Sequence, residues 1–391
     1  MEMPVISVPL RSFAPARLCR ALLGAAALVL ASACATRAPE APTAELPLSE
    51  ATAAALDHLM SQAAPGPAWL TSLKGRSIVL EPVRDGASGE QTLGTVEVRR
   101  LLGELLRTRY PQVEQLALNE AGAAKATWAL NGTLDAGRGS LAERKGSTLQ
   151  LAIVEATSGK AVARTRVKVR GDSIDNTPTV FFRDSPVLMG EDAAAPKGLD
   201  ALSTTALLDL GMVAYDNGRY AEALPYFEAA SKRPNADPMP VATGLYLTRS
   251  RLGQDEGAKE AFGRIVEVGL QRRSLAVKFL FEPGKVDFWA DPKVSGPYAT
   301  WLEQIATRAN VPGLCLNIVG HSSRTGTEAF NEQLSLQRAV RIGDSLKRIQ
   351  PAFTTRLQET GMGFRQNLIG SGTDDVRDAL DRRVEFRFDR C

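Results

Sequence analysis

Aromatic residues make up only 6% of the 391 residues, and no run of Lys or Arg breaks a charge balance that nets +3. That argues against a base-stacking surface and against a basic nucleic-acid face, so no nucleic-acid partner is expected. Histidine is scarce, with His58 and His321 alone. Without a Cys-x-x-Cys or a His-Glu-x-x-His, no metal and no cofactor are expected. Nucleophile signatures are missing as well. "TSGKA" (157–161) lacks the upstream glycine of a phosphate loop. "GHSSR" (320–324) lacks the closing glycine of a nucleophile elbow, and Ser322 and Ser323 next to His321 would point apart on a strand. The chain is read as a non-enzyme.

What is present starts at the N-terminus. Arg11, Arg17 and Arg20 precede the apolar run "ALLGAAALVLA" (21–31) and the small residues "SA" before Cys34. A basic segment, a short apolar segment and small residues form a secretory signal, too short to span a membrane. Ser32-Ala33-Cys34 resembles a bacterial lipobox, with Leu30 one residue earlier than the family's leucine. The resemblance implies removal of residues 1–33 and acylation of Cys34, which anchors the chain without a spanning helix. Ala35, rather than an aspartate, favours the outer membrane. The plainer alternative is an ordinary signal peptide with an incidental cysteine. Of the remaining cysteines, Cys315 and Cys391 are the only possible intramolecular pair in an oxidising compartment.

The mature chain reads as an α+β multidomain protein. Residues 34–66 form a lipidated tether whose Ala/Pro-rich start reaches about 40 Å at about 3 Å per residue. It ends in a short helix at most, with His58 facing solvent. Residues 67–170 are α/β, with strands at 76–83, 126–136 and 147–170, the last a hairpin, and a helix at 92–110. Its "LNGTL" strand and "LAIVEATSGKAVA" hairpin resemble the periplasmic domain shared by CsgG, the N-terminal part of TolB and LpoB. That resemblance implies a scaffold that docks an envelope protein, with no assignable contact residues. Residues 171–198, rich in Pro, Gly and Asp, form a linker in which Phe181 and Phe182 pack on a neighbour. In 199–270, Leu210, Gly211, Tyr215, Gly218, Tyr220, Ala223, Phe227, Ala230 and Pro234 resemble a tetratricopeptide repeat, followed by a weaker second copy. Two repeats bury too little core alone, so the helices must lean on a flanking domain.

From 275 to 391 the pattern is strand–helix–strand–helix–strand–strand. "GHSSRTGTEAFNEQLSLQRAVRI" (320–342) and "DRRVE" (381–385) resemble the OmpA-like domain shared with Pal and MotB. The family grips peptidoglycan through the zwitterionic end of the diaminopimelate side chain in the stem peptide. A carboxylate holds its ammonium, and an arginine, whose planar fork suits a carboxylate, holds its acid. Carried over residue by residue, the site is Ser323, Asn331, Arg338, and Arg382 or Arg383. Ser323 stands where the family has aspartate, and Asp381 where it has asparagine. A hydroxyl keeps a hydrogen bond but supplies no charge, a loss worth about tenfold in affinity. Glu282, Glu328, Asp374 and Asp381 are the acids that would compensate. The expected function is an outer-membrane lipoprotein that links membrane to peptidoglycan and recruits an envelope partner. The alternative is an assembly scaffold whose OmpA-like domain has lost or altered its hold on the wall.

Overall fold

The computed structural model describes residues 43–63, 73–135, 137, 146–189, 198–370, 372 and 380–391. The signal segment, Cys34 and Asp374 lie outside the described residues.

Alternating apolar residues place β1 (Ser77–Asp85), β2 (Glu114–Leu116), β3 (Trp128–Asp135), β4 (Thr148–Glu155) and β5 (Ala161–Lys168) in one sheet ordered β2-β1-β3-β4-β5. β1 runs parallel to β2 and β3, while β3, β4 and β5 are antiparallel neighbours. Helices α1 (Leu48–Ala63) and α2 (Leu93–Arg109) bury Leu56, Leu59, Leu102 and Leu106 in one core with Leu130, Leu149 and Val167. A reciprocal capping box between Thr92 and Thr95 starts α2. A one-turn helix, α3 (Glu120–Lys125), follows β2.

Two expectations need correction here. Of the tether expected at 34–66, the described part, 43–63, is packed on the sheet and is not free chain. Leu46 bridges Val169, and α1 is a four-turn helix with seven buried residues. Its apolar stripe needed a partner, which β4 and β5 supply. His58 is half-buried, its Nδ1 2.8 Å from Thr165 Oγ1 on β5, rather than solvent-facing.

The second correction concerns 171–198. Its described part, up to 189, is a strap sewn to three neighbours. Thr177 and Gln91 exchange backbone hydrogen bonds with Leu93 and Thr179. The short helix α4 (Val180–Asp184) is fixed by Phe181 N–H donating to Asp216, and Leu188 and Lys278 then bond across to Ala276 and Pro186. Phe181 and Phe182 are fully buried and edge-on to each other, and Phe181 also stacks on Phe227 and meets Tyr215 edge-on.

Four helices follow: α5 (Leu199–Asp216), α6 (Tyr220–Ser231), α7 (Pro238–Arg251) and α8 (Asp255–Arg272). Glycine makes their close approach possible. A Cβ at Gly244 would sit 2.3 Å from the Phe227 ring, and one at Gly211 would sit 2.9 Å from it. The helices lean on both sides. Asp209 of α5 receives a bidentate salt bridge from Arg99 of α2 at 2.8 and 2.9 Å. On the other side, Phe262 of α8 stacks on Trp301 at 5.4 Å, and Trp301 donates to Tyr246 at 2.8 Å.

Trp301 belongs to the last layer: β6 (Ser274–Val277), α9 (Pro292–Ser295), α10 (Tyr298–Arg308), β7 (Leu314–Gly320), α11 (Glu328–Ile349), β8 (Leu357–Gly361) and β9 (Val384–Arg390). The sheet order is β6-β9-β7-β8, with only β7 and β8 parallel. The first strand is shorter than the apolar run at 275–284 suggests, because the chain leaves the sheet after Val277, where Lys278 turns to the strap. Cys315 on β7 and Cys391 are joined in a disulfide. One continuous apolar core runs from Phe181 through the helices to Phe388. Among the described residues, no helix is long and apolar enough to cross a membrane.

Candidate functional site

A cavity of about 870 Å³ opens where the C-terminal sheet meets the strap and the helices. One wall is the loop after β7 together with the first turns of α11. Thr327 caps α11, and Asn331 closes the loop behind it by donating to the carbonyls of Thr325 and Thr327 at 2.5 and 3.0 Å. Gly320 ends β7 directly under α11, where a Cβ would meet the Ser335 carbonyl at 2.0 Å. The loop is therefore held close to the helix.

Arg338, two turns further along α11, lines the cavity while only 4% exposed. Its Nε donates to the Lys285 carbonyl at 3.0 Å and its Nη2 to the Glu282 carbonyl at 3.2 Å. The guanidinium lies 4.8 Å over the Phe281 ring. Two carbonyls and a ring face thus fix the orientation of the planar fork at the cavity wall. Ser323 lines the same wall, 4% exposed, with its Oγ 3.5 Å from Thr325 Oγ1.

The two arginines near the C-terminus separate. Arg382 lines the cavity. Arg383 does not: it is buried and donates to the carbonyls of Leu380 and Gln366 at 3.3 and 3.1 Å, so its role is to hold the chain before β9. Burial pulls its pKa below the ordinary arginine value.

The acids expected to replace the missing aspartate are engaged elsewhere. Asp381 is fully buried and accepts the backbone N–H groups of Leu368, Ile369 and Gly370. Glu328 pairs with Arg365 at 2.9 Å, and the Glu282 carboxylate accepts from Ala290 N–H. Asp374 lies outside the described residues.

Beside this wall, His321 is 1% exposed, and burial pushes it below its ordinary pKa. Its Nε2 comes within 3.4 Å of Glu385 without hydrogen-bond alignment, and Nδ1 has no partner. The His321 contact and the Arg387 salt bridge hold the Glu385 carboxyl down to about 2. No hydrogen bond links His321 to Ser322, so this pair lacks the geometry of a base and its nucleophile.

Sequence reasoning missed the opposite wall. Tyr215, Tyr246, Ser250 and Arg251 come from the helices, and Asp184 from the strap. Arg251 bonds both Asp184 and the Tyr215 hydroxyl. Lys278 forms part of the floor, buried to 7% exposure and donating to the Phe182 carbonyl at 2.6 Å. A lysine inside the apolar run "LAVKFLF" was the available signal.

No protein-family model matches the chain, and no curated protein matches it significantly. Several solved structures are similar to about 30% of it. The periplasmic domain of Helicobacter pylori MotB is 16% identical over 30% of this chain and 75% of its own, with a TM-score of 0.25. The peptidoglycan-associated lipoprotein of Burkholderia pseudomallei is 20% identical over 29% and 89%, also at 0.25. The OmpA-like domain of FopA1 from Francisella tularensis is 18% identical over 30% and 76%, at 0.22. TM-scores this low carry no inference about what this chain binds.

Proposed function

We propose that the chain is an outer-membrane lipoprotein that holds peptidoglycan through its C-terminal domain, contacting the diaminopimelate end of the stem peptide. The observation that carries the reading is Arg338: a nearly buried guanidinium, oriented by two carbonyls and a ring face, at the wall of a cavity large enough for a peptide. Arg382 adds a second cation on the same cavity. Asn331 acts on the loop's shape, and Ser323 offers a hydroxyl to the ammonium. Lipidation at Cys34 supplies the membrane end, and the N-terminal sheet with the helices supplies the surface for an envelope protein.

The engagement of Asp381, Glu328 and Glu282 with other partners favours a second reading, a scaffold with a weakened hold on the wall. Co-sedimentation with purified sacculi separates the two. The first reading expects pelleting above a control protein and its loss in Arg338→Ala. Pelleting no better than the control, with partners still co-purifying after sacculus digestion, supports the scaffold instead.

A further inference from the structure

Exposed aromatic rings are rare on this chain. Among the described residues Trp289 (40% exposed) and Phe330 (52%) are the only two, and both line the cavity that holds Arg338. A ring left in water forgoes the gain that burial gives the other aromatics of the fold. Two such rings on one cavity mark a binding surface.

Each ring stands on an element that also places Arg338. Phe330, Leu334 and Arg338 line the cavity at four-residue spacing, as one stripe of α11. Eight residues of helix put Phe330 about 12 Å from Arg338 along the axis. Trp289 belongs to a hairpin: its N–H donates to the Leu280 carbonyl at 3.0 Å, and Phe281 bridges Phe288. The turn of that hairpin supplies the Glu282 and Lys285 carbonyls that hold the Arg338 guanidinium. Phe288 lies under the Arg341 guanidinium at 5.8 Å, which ties the hairpin to α11 a second time. The four-residue step from Lys285 to Trp289 spans at most about 14 Å.

We propose that Trp289 and Phe330 form a sugar subsite at the cavity mouth, which takes the N-acetylated amino sugar that carries the stem peptide while the diaminopimelate end faces Arg338. The proposal rests on the wall-binding reading above and deepens it. The pyranose ring of an amino sugar has an apolar C–H face and a rim of hydroxyl and acetamide groups. A flat aromatic ring matches the face, and neutral hydroxyls match the rim. Such a hydroxyl lines the same cavity: Ser322 is 1% exposed, and its Oγ has no partner. The lengths agree as well. Two extended residues, about 7 Å, separate diaminopimelate from the sugar. The lactyl link and the diaminopimelate side chain extend that reach to the order of the separation between the arginine and either ring.

The test is calorimetric titration of the full chain with two ligands that differ only in the sugar: an N-lactyl tripeptide containing diaminopimelate, and the same tripeptide on N-acetylmuramic acid. The sugar-bearing ligand should bind about tenfold more tightly. That advantage should vanish in Trp289→Ala, shrink in Phe330→Ala and survive in Trp289→Tyr, which keeps a ring. Affinity for the lactyl tripeptide should stay unchanged in all three variants, whereas Arg338→Ala weakens both ligands. Equal affinity of the unaltered chain for the two ligands, a comparison that needs no variant to fold, overturns the subsite while leaving the Arg338 reading intact. A sugar advantage that survives both alanine substitutions overturns it too. Absence of binding to either ligand overturns the subsite together with the wall-binding reading.

Discussion

Each sheet of the molecule backs a cavity, and the two cavities treat buried polar groups in opposite ways. The N-terminal one, about 450 Å³, is bounded by β1, β3, β4, β5 and the start of α5. Its deepest acid, Glu81, is pushed up by burial and accepts a hydrogen bond from Asn131 at 3.2 Å. The acid is buried with a partner from its own sheet, as a packed structure requires. The C-terminal cavity keeps a buried serine, Ser322, whose Oγ has no partner, beside an arginine oriented by carbonyls. Buried capacity that the fold itself does not satisfy marks the receptive cavity. Size alone does not.

The largest effect that sharpens this contrast concerns the C-terminal sheet alone, because only it carries a disulfide among the described residues. Reducing Cys315–Cys391, which closes a separation of 76 residues, should cost about 2–4 kcal/mol. Hydrogen exchange should then speed up in β7 and β9 more than in β3 and β4; equal acceleration would argue against two separately supported sheets. Next comes the contact that joins the regions. Asp209→Ala removes the acceptor of Arg99 and should destabilise the chain by about 2 kcal/mol, a value between buried and surface pairs because Arg99 is partly exposed. Chemical denaturation checks it, and an unchanged midpoint would show that the helices do not depend on α2.

Binding supplies the third test. Ser323→Asp should tighten stem-peptide binding about tenfold by restoring a charge opposite the ammonium. No change would show that another acid already fills that role.

The smallest effect is in pH dependence, where the regions should differ in sign. Glu385 has a depressed pKa, so its stabilisation is complete above the ordinary carboxylate range and fades as pH falls through about 2. His321, depressed by burial, likewise costs stability as pH falls below 6.5, because the unfolded chain takes up the proton more readily. Glu90, at the N-terminal domain's contact with the strap, is raised by burial and has no hydrogen-bond partner for either carboxylate oxygen. Its protonated form is the one favoured on folding, so it costs stability as pH rises above the ordinary carboxylate value. Glu90→Gln should therefore raise the melting temperature at pH 8 and change it little at pH 4. A uniform shift at both would show that charge is not the cause.

These elements were unevenly legible in the sequence. The helix at 328–349 was readable to its ends, since Thr327 caps it and Leu334, Ala339, Ile342 and Leu346 form its buried stripe. The strap was not, because proline, glycine and aspartate read as linker while its pairings with Leu93, Ala276 and Asp216 are all made in tertiary contact. The tether failed for a related reason: alanine-rich α1 gains its stability from the sheet it covers, which no local pattern records. At the site, the motif located Arg338 and the loop, yet it could not separate Arg382 from Arg383, adjacent residues that face opposite environments. The lysine inside the apolar run marked Lys278 as unusual but not what it meets, because its partner, the Phe182 carbonyl, lies almost a hundred positions away.

The most direct test is the affinity of the full chain for a diaminopimelate-containing tripeptide, compared with Arg338→Ala and Arg338→Lys. Measurable binding that falls at least about tenfold in the alanine variant and is only partly restored by lysine, which keeps the charge but not the planar fork, is the predicted result. Equal affinity in all three chains, with melting temperatures showing each variant folded, would contradict it.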